Sequence, residues 1–146
     1  MKRTFTVPGA PQGKGRARVS TMGGFARAYT PEKTAKYENL VRLCYIEQYR
    51  QAKLKGAVRA VITAYYPIPK SFSRVKRENA IKGLLRPQIK PDADNVVKVI
   101  MDALNGLAYD DDRQVVQIFI SKYYGEACVK VVLEDESEED LKEERE

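Results

Sequence analysis

Lys90-Pro91-Asp92-Ala93-Asp94-Asn95 leads straight into the run Val96 to Leu107, and three consecutive aspartates, Asp110-Asp111-Asp112, follow that run within a few residues. At the helical angle, Val96, Ile100, Ala103 and Leu107 fall on one side with Val99 and Leu104 beside them. The stretch therefore predicts an amphipathic helix that opens at Asp94, reaches Gly106 and turns its apolar side into a core. Asp94, Lys98, Asp102 and Asn105 take the opposite side. A stripe of Asp, Lys and Asp at steps of four is what a solvated, ion-paired helix face carries. Two further features point elsewhere. Asp92 stands just before the helix, where free N–H groups and the positive dipole end favour carboxylates and phosphate oxygens. The loop after the helix brings more carboxylates toward it if that loop folds back. An oxygen-rich group of this kind suits Mg²⁺ or Mn²⁺. Asp94 as a simple N-cap and the Asp triplet as ordinary turn chemistry are the competing readings.

Outward from this stretch the charge changes sign. Residues 1–90 hold 20 basic and 4 acidic side chains, residues 92–112 hold six Asp against Lys98 alone, and residues 134–146 hold nine acids and two bases. The basic region attracts nucleic acid or an anionic membrane surface. No apolar run is long enough to span a membrane, and the bases are interleaved with turn residues instead of lining one amphipathic helix, so nucleic acid is the better partner. A metal site of acids within a basic surface points to phosphodiester hydrolysis on a polyanion. The amino-terminal residues lack an apolar signal core, which predicts a cytoplasmic protein. Cys44 and Cys128 lie in separate apolar segments and read as reduced core thiols.

The remaining elements are coarser. Thr4 to Val7 alternates as a short strand, and Pro8 to Arg18 is a long basic loop rich in Gly and Pro. Thr30 as cap and Pro31 at the first position open a helix that the spacing of Tyr37, Leu40, Val41, Cys44, Tyr45 and Tyr49 carries to about Ala52. Ala57 to Tyr66 is a strand stopped by Pro67 and Pro69, and Ser71 or Ser73 opens a strongly basic helix that runs to about Leu85. Gln114 to Tyr123 and Ala127 to Leu133 read as a hairpin turning at Gly125. The order predicts a mixed α/β or α+β domain over residues 1–133, a small mixed sheet flanked by helices, with residues 134–146 as an acidic, disordered tail.

The string Lys90-Pro91-Asp92-Ala93-Asp94-Asn95-Val96-Val97-Lys98, with Met101-Asp102-Ala103-Leu104-Asn105-Gly106-Leu107 and Asp111-Asp112-Arg113-Gln114-Val115, resembles the RusA family of Holliday junction resolvases, common in phages and prophages. Val7 to Arg18 and Tyr29-Thr30-Pro31 share the likeness, which spans residues 4–132. The resemblance implies a small homodimeric endonuclease that binds four-way junction DNA and cuts two opposed strands with a divalent metal, Mg²⁺ or Mn²⁺. By position, Asp92 and Asp94 match the motif aspartates, Lys98 the motif lysine, and Asp111 and Asp112 the aspartates of the D-D-x-Q block. Asp110 departs from the pattern, and the order for metal binding is Asp112, then Asp111, then Asp110.

The chain has no histidine, so neither an imidazole base nor a His ligand serves the chemistry. Asp92, Asp94 and Asp112 are the catalytic metal-holding carboxylates, with Asp111 a further ligand. Lys98 stabilises the reacting phosphate or, on the plainer reading, forms an i,i+4 pair with Asp94 worth about 0.3 kcal/mol. Lys14, Arg16, Arg18 and Arg27 of the loop region and Arg74, Lys76, Arg77 and Lys82 of the basic helix are the candidates for DNA backbone contacts. Phe25 and Tyr29 offer stacking on unpaired bases, with burial as the alternative. Val115, Ile118, Ile120, Val129, Val131 and Val132 are assigned partly to a dimer contact and partly to the monomer core. A noncatalytic DNA-binding module and a different metal-dependent phosphohydrolase are the competing functions.

Overall fold

The computed structural model describes residues 1–15, 18–24 and 26–136. Phe25, Arg16, Ala17 and the tail from residue 137 lie outside the described residues. The fold is mixed α+β, as the order of elements predicts. Its frame is a four-stranded sheet in the order β1-β6-β4-β5, made by β1 (Lys2–Pro8), β4 (Val58–Tyr66), β5 (Val115–Tyr124) and β6 (Cys128–Asp135). Alternation decides its faces. Phe5 and Val7 of β1, alternate residues from Val58 to Tyr66 of β4, and Val129, Val131 and Leu133 of β6 are buried on one face. There they meet α1 (Glu32–Tyr49) and α3 (Ala93–Leu104) in a common core. A short ribbon of β2 (Arg18–Ser20) and β3 (Arg27–Tyr29), which the sequence reading left within the loop region, pairs on its own. The remaining helix, α2 (Arg74–Ile81), touches β5 and buries only Ala80.

The expected hairpin is not formed. β5 pairs parallel with β4, and β6 pairs antiparallel with both β4 and β1, so β4 lies between the two strands that Gly125 joins. The connection passes over the end of β4, where the Gly125 N–H donates to the Tyr66 carbonyl at 2.9 Å. A Cβ on Gly125 would stand 3.1 Å from the Tyr65 ring, which is why a residue without a side chain fits. The assignment of these strands to a dimer contact changes accordingly. Val129 and Val131 are fully buried in the monomer, whereas Val116, Ile118 and Phe119 on the edge strand β5 are exposed. β6 also runs on through Glu134 and Asp135, two residues that the charge pattern places in the tail. Asp135 ion-pairs with the terminal amine at 3.0 Å and accepts from the Lys55 N–H at 3.1 Å.

Helix ends differ from the sequence reading by one to four residues. Pro31, not Thr30, occupies the cap position of α1, and the helix stops at Tyr49 because Arg50 takes a positive φ of 56°. Ser73 caps α2, and its hydroxyl accepts from the Lys76 N–H at 3.2 Å, but the helix ends at Ile81 ahead of Gly83. Asp92 rather than Asp94 is the cap residue of α3, and its side chain makes no capping hydrogen bond. Asp94 lies in the first turn, where the helix dipole favours its charge. Of the apolar face that the periodicity predicts, Val96, Val99, Ile100, Ala103 and Leu104 are buried, whereas Leu107 lies past the helix end and is half-buried; Met101 is buried besides. Arg42 of α1 donates to the Ala103 carbonyl at 2.9 Å and so ties the two helices together.

Candidate metal and nucleic-acid site

The entrance of α3 is fixed from three sides. The Tyr66 hydroxyl donates to the Pro91 carbonyl at 2.6 Å, across the cis bond between Lys90 and Pro91. Lys14 N–H donates to the Asn95 carbonyl at 3.3 Å, and Gly15 N–H donates to Thr34 Oγ1 at 3.0 Å. The loop thus threads between the starts of α1 and α3, so close that a Cβ on Gly13 would lie 3.0 Å from Pro91 and one on Gly15 2.6 Å from Thr34 Oγ1. An open cleft of about 850 Å³ results, with Lys33, Lys90, Asp92 and Asn95 among its lining residues. Asp92 lines it and is exposed, as are Asp94 and Lys98 further along α3.

The return loop folds back onto α3, but at the C-terminal end of the helix, away from the entrance where Asp92 and Asp94 stand. The Asp112 N–H donates to Asn105 Oδ1 at 3.1 Å, just past the end of the helix. Gln114 holds the rest: its Oε1 accepts from the Asp110 and Asp111 N–H groups at 2.8 and 3.2 Å, and its Nε2 donates to the Leu54 and Gly56 carbonyls at 3.3 and 3.0 Å. Asp111 and Gln114 form a capping box on the single 3-10 turn Asp112–Gln114. The D-D-x-Q spacing is therefore first of all a way of fixing a loop.

The three aspartates are distinct in this frame. Asp110 pairs with Lys53 at 3.0 Å, and Asp111 pairs with Arg113 at 3.2 Å. Asp112 makes no ion pair with a described residue. The hydrogen bond from the Arg113 N–H holds the Asp111 carboxyl below its ordinary value, with the Arg113 side chain acting in the same sense. Asp112 moves the other way, raised first by its hydrogen bond with Asp111 and further by the negative charges of Asp111 and Asp102. Among the described residues no three acids lie close enough to hold a metal ion by themselves.

The candidate DNA contacts separate in the same way. Arg27 lies on β3 and is exposed, as is Tyr29. Arg74 pairs with Glu78 at 3.4 Å along α2, and Lys76 sits 4.5 Å from the centre of the Phe72 ring. Arg77 and Lys82 have no ion pair with a described residue. Arg16 falls outside the described residues, and of Arg18 only the backbone, in β2, is described. Lys14 points inward, with its ammonium on Glu38 of α1 and on Asp102 of α3, the latter at 3.2 Å. Sequence reasoning missed Glu38 and Asp102 as partners of the loop. It also missed the anchoring roles of Asn105 and Gln114, although the spacing of a capping box was there to be read.

Comparison with known proteins finds likeness over most of the chain. The family model described as endodeoxyribonuclease RusA matches residues 8–134. Uncharacterized protein YqaN of Bacillus subtilis (strain 168) is 43% identical over 124 residues, covering 84% of this chain and 87% of that protein.

Proposed function

Because the chain belongs to the endodeoxyribonuclease RusA family, we propose that it is a divalent-metal-dependent Holliday junction resolvase. One observation carries this reading. Around α3 each of Asp102, Asp110 and Asp111 is neutralised by a base, while Asp92, Asp94, Lys98 and Asp112 are exposed and make no ion pair with a described residue. Exposed and unpaired, those four are free to meet other charges. They are the residues that a metal and a phosphate would occupy.

The donor set fits Mg²⁺ or Mn²⁺, since it is all oxygen and the chain has no histidine. Mg²⁺ is commonly held by one or two carboxylates with water and substrate phosphates completing the shell, so a protein without a ready-made cage of acids is no obstacle. Asp92 and Asp94 would hold the ion at the entrance of α3, and Asp112, whose loop is fixed to Asn105 at the other end of the helix, would hold metal only with phosphate and water oxygens completing the shell, with Asp111 kept to its capping task. When bound, the metal supplies a more acidic water and neutralises charge on the attacked phosphate. Lys98 faces the phosphate and stabilises the added negative charge of the transition state. Lys33 and Lys90 in the cleft and the free N–H groups at the start of α3 orient the DNA backbone. Arg16, Arg18, Arg27, Arg74, Lys76 and Arg77 extend that grip along the four-way junction.

Paired cuts need two sites related by a two-fold axis, which a homodimer provides. We place its contact on β5, an edge strand of 10 residues whose Val116, Ile118 and Phe119 are 64%, 44% and 50% exposed. A long apolar edge of that kind invites pairing with another chain. No described helix is long and apolar enough to cross a membrane.

The test is cleavage of a synthetic four-way junction against linear duplex, with Mg²⁺ and with chelator. Junction-selective, Mg²⁺-dependent cutting at two opposed strands is expected. Binding without cutting at any divalent metal would favour a noncatalytic module, and equal cutting of duplex would favour a different phosphohydrolase.

A further inference from the structure

Lys14 was placed with the DNA contacts by its charge and its neighbours, but its side chain is only 21% exposed and its ammonium faces two carboxylates. One of them, Glu38, is itself buried to 9% exposure. A cation so enclosed is poorly placed to meet phosphate, because reaching solvent would strand Glu38 as a buried charge. The second carboxylate gives the contact its consequence. Lys98 stands four residues after Asp94 and four before Asp102, a spacing at which oppositely charged helix residues pair. Neither pair forms; Asp102 is taken by Lys14 and Lys98 is left exposed.

Resting on the nuclease reading above, we propose that Lys14 is a positioning residue: by occupying Asp102 it keeps Lys98 free for the DNA phosphate, and it ties the basic loop to α3. The backbone supports the same tie, through the Lys14 N–H on the Asn95 carbonyl and the two close approaches at Gly13 and Gly15. Loop and catalytic helix are then one unit. Arg16 and Arg18 follow directly in sequence, so the cations offered to DNA are tethered to the helix that carries Asp92 and Asp94.

The experiment reads lysine reactivity and cleavage in the full chain. Reductive methylation of the free protein, followed by mass spectrometry, should find Lys98 as reactive as the exposed Lys90 and Lys14 protected. In Lys14→Met, Lys98 should lose up to about half of its reactivity as it turns to Asp102, and Lys14→Met with Asp102→Asn should restore it. A protected Lys98 in the unaltered protein, a measurement that needs no variant to fold, overturns the proposal. So does a Lys98 whose reactivity ignores Lys14→Met. Single-turnover cutting of the four-way junction should fall by about twofold in Lys14→Met, the share of Lys98 that an exposed i,i+4 pair can divert, and the double variant should recover it. The salt dependence of junction affinity should stay unchanged. A slope shallower by about 0.9 with unchanged cutting would make Lys14 an ordinary phosphate contact instead. If the unaltered protein fails to cut junctions at all, the nuclease reading falls, while the methylation pattern still decides the role of Lys14.

Discussion

Helices α2 and α3 both follow proline-bearing segments, and both carry residues proposed to meet DNA, yet they are built on opposite terms. Ser73 spends its hydroxyl on capping α2, and the helix then buries only Ala80. Asp92 sits at the same position of α3 and caps nothing, while six apolar side chains lock the helix into the core. A side-chain cap contributes about 1 kcal/mol to a helix. Helix α3 forgoes it and is held by packing. What the contrast teaches is where this fold puts rigidity: the groups proposed for chemistry stand on a helix fixed by apolar burial, and the groups proposed for grip stand on a lightly held one. Geometry must be kept within fractions of an ångström for the first task, whereas charge near a phosphate suffices for the second.

The largest effect should come from the α3 side. Asp92→Asn or Asp94→Asn removes a proposed metal ligand, and cutting should drop by about a thousandfold or more, as loss of metal-supplied charge stabilisation implies. Junction binding in gel shifts without metal should hold or tighten, because negative charge near the DNA is reduced. The same exchange at Asp112 should act more strongly than at Asp111 or Asp110. A fully active Asp112→Asn would reverse that order and with it the meaning given to the unpaired carboxylate.

Next in size is the loop behind that carboxylate. Gln114→Leu deletes four hydrogen bonds that hold residues 110–111 against Leu54 and Gly56. Stranding such groups costs about 1–3 kcal/mol in stability, and cutting should slow by about tenfold to a hundredfold as Asp112 loses its place. Thermal unfolding and single-turnover rates read the two parts separately. Intact cutting would mean that the return loop is not part of the site.

Changes on the α2 side should be smaller and of another kind. Arg77→Ala should lower the salt slope of junction affinity by about 0.9 and leave the cutting rate at saturating protein unchanged. Arg74→Ala should do less, because Arg74 already pairs with Glu78. Reversing charge at Arg16 and Arg18 together should flatten the slope more than either. A slope indifferent to all of these would put the DNA on another face.

How much of this was legible in sequence follows from range. The apolar side of α3 was readable because 3.6-residue periodicity is local, and all the predicted residues within the helix are buried; Leu107, past its end, is half-buried. The hairpin was misread because a glycine between two β-branched runs gives the same local signal whether the strands pair or straddle a third. Insertion of β4 between them is decided by partners far along the chain. The ion pairs of Lys14 were hidden on the same ground, since nothing near it in sequence announces Glu38 or Asp102. Asp94 was offered a capping role that Asp92 occupies by position without performing, and only coordinates could tell those apart. The unpaired state of Asp112 depends on Lys53 and Arg113 taking its two neighbours, which composition shows only as three acids in a row.

The smallest effect tests the seam between rigid core and site. Tyr66 is buried at the end of β4, and its hydroxyl donates to the Pro91 carbonyl directly before Asp92. Burial, with a further push from the Asp92 charge, raises its ionisation from 10.0 to about 12. The sign follows from which form the fold prefers. The neutral phenol is favoured in the native state, so the stabilisation is fully present below pH 10 and is lost as pH climbs toward about 12. Tyr66→Phe removes the hydrogen bond while keeping the ring, and it should cost about 1 kcal/mol of stability. It should flatten the alkaline fall in stability between those two values and slow cutting only a few-fold at neutral pH, because the glycine contacts and the Lys14 tie still hold the start of α3. Asp92→Asn should shift the Tyr66 titration downward in the intact protein, by the charge it removes. A Tyr66 whose titration ignores Asp92 would separate the core from the site at the one point where the structure joins them.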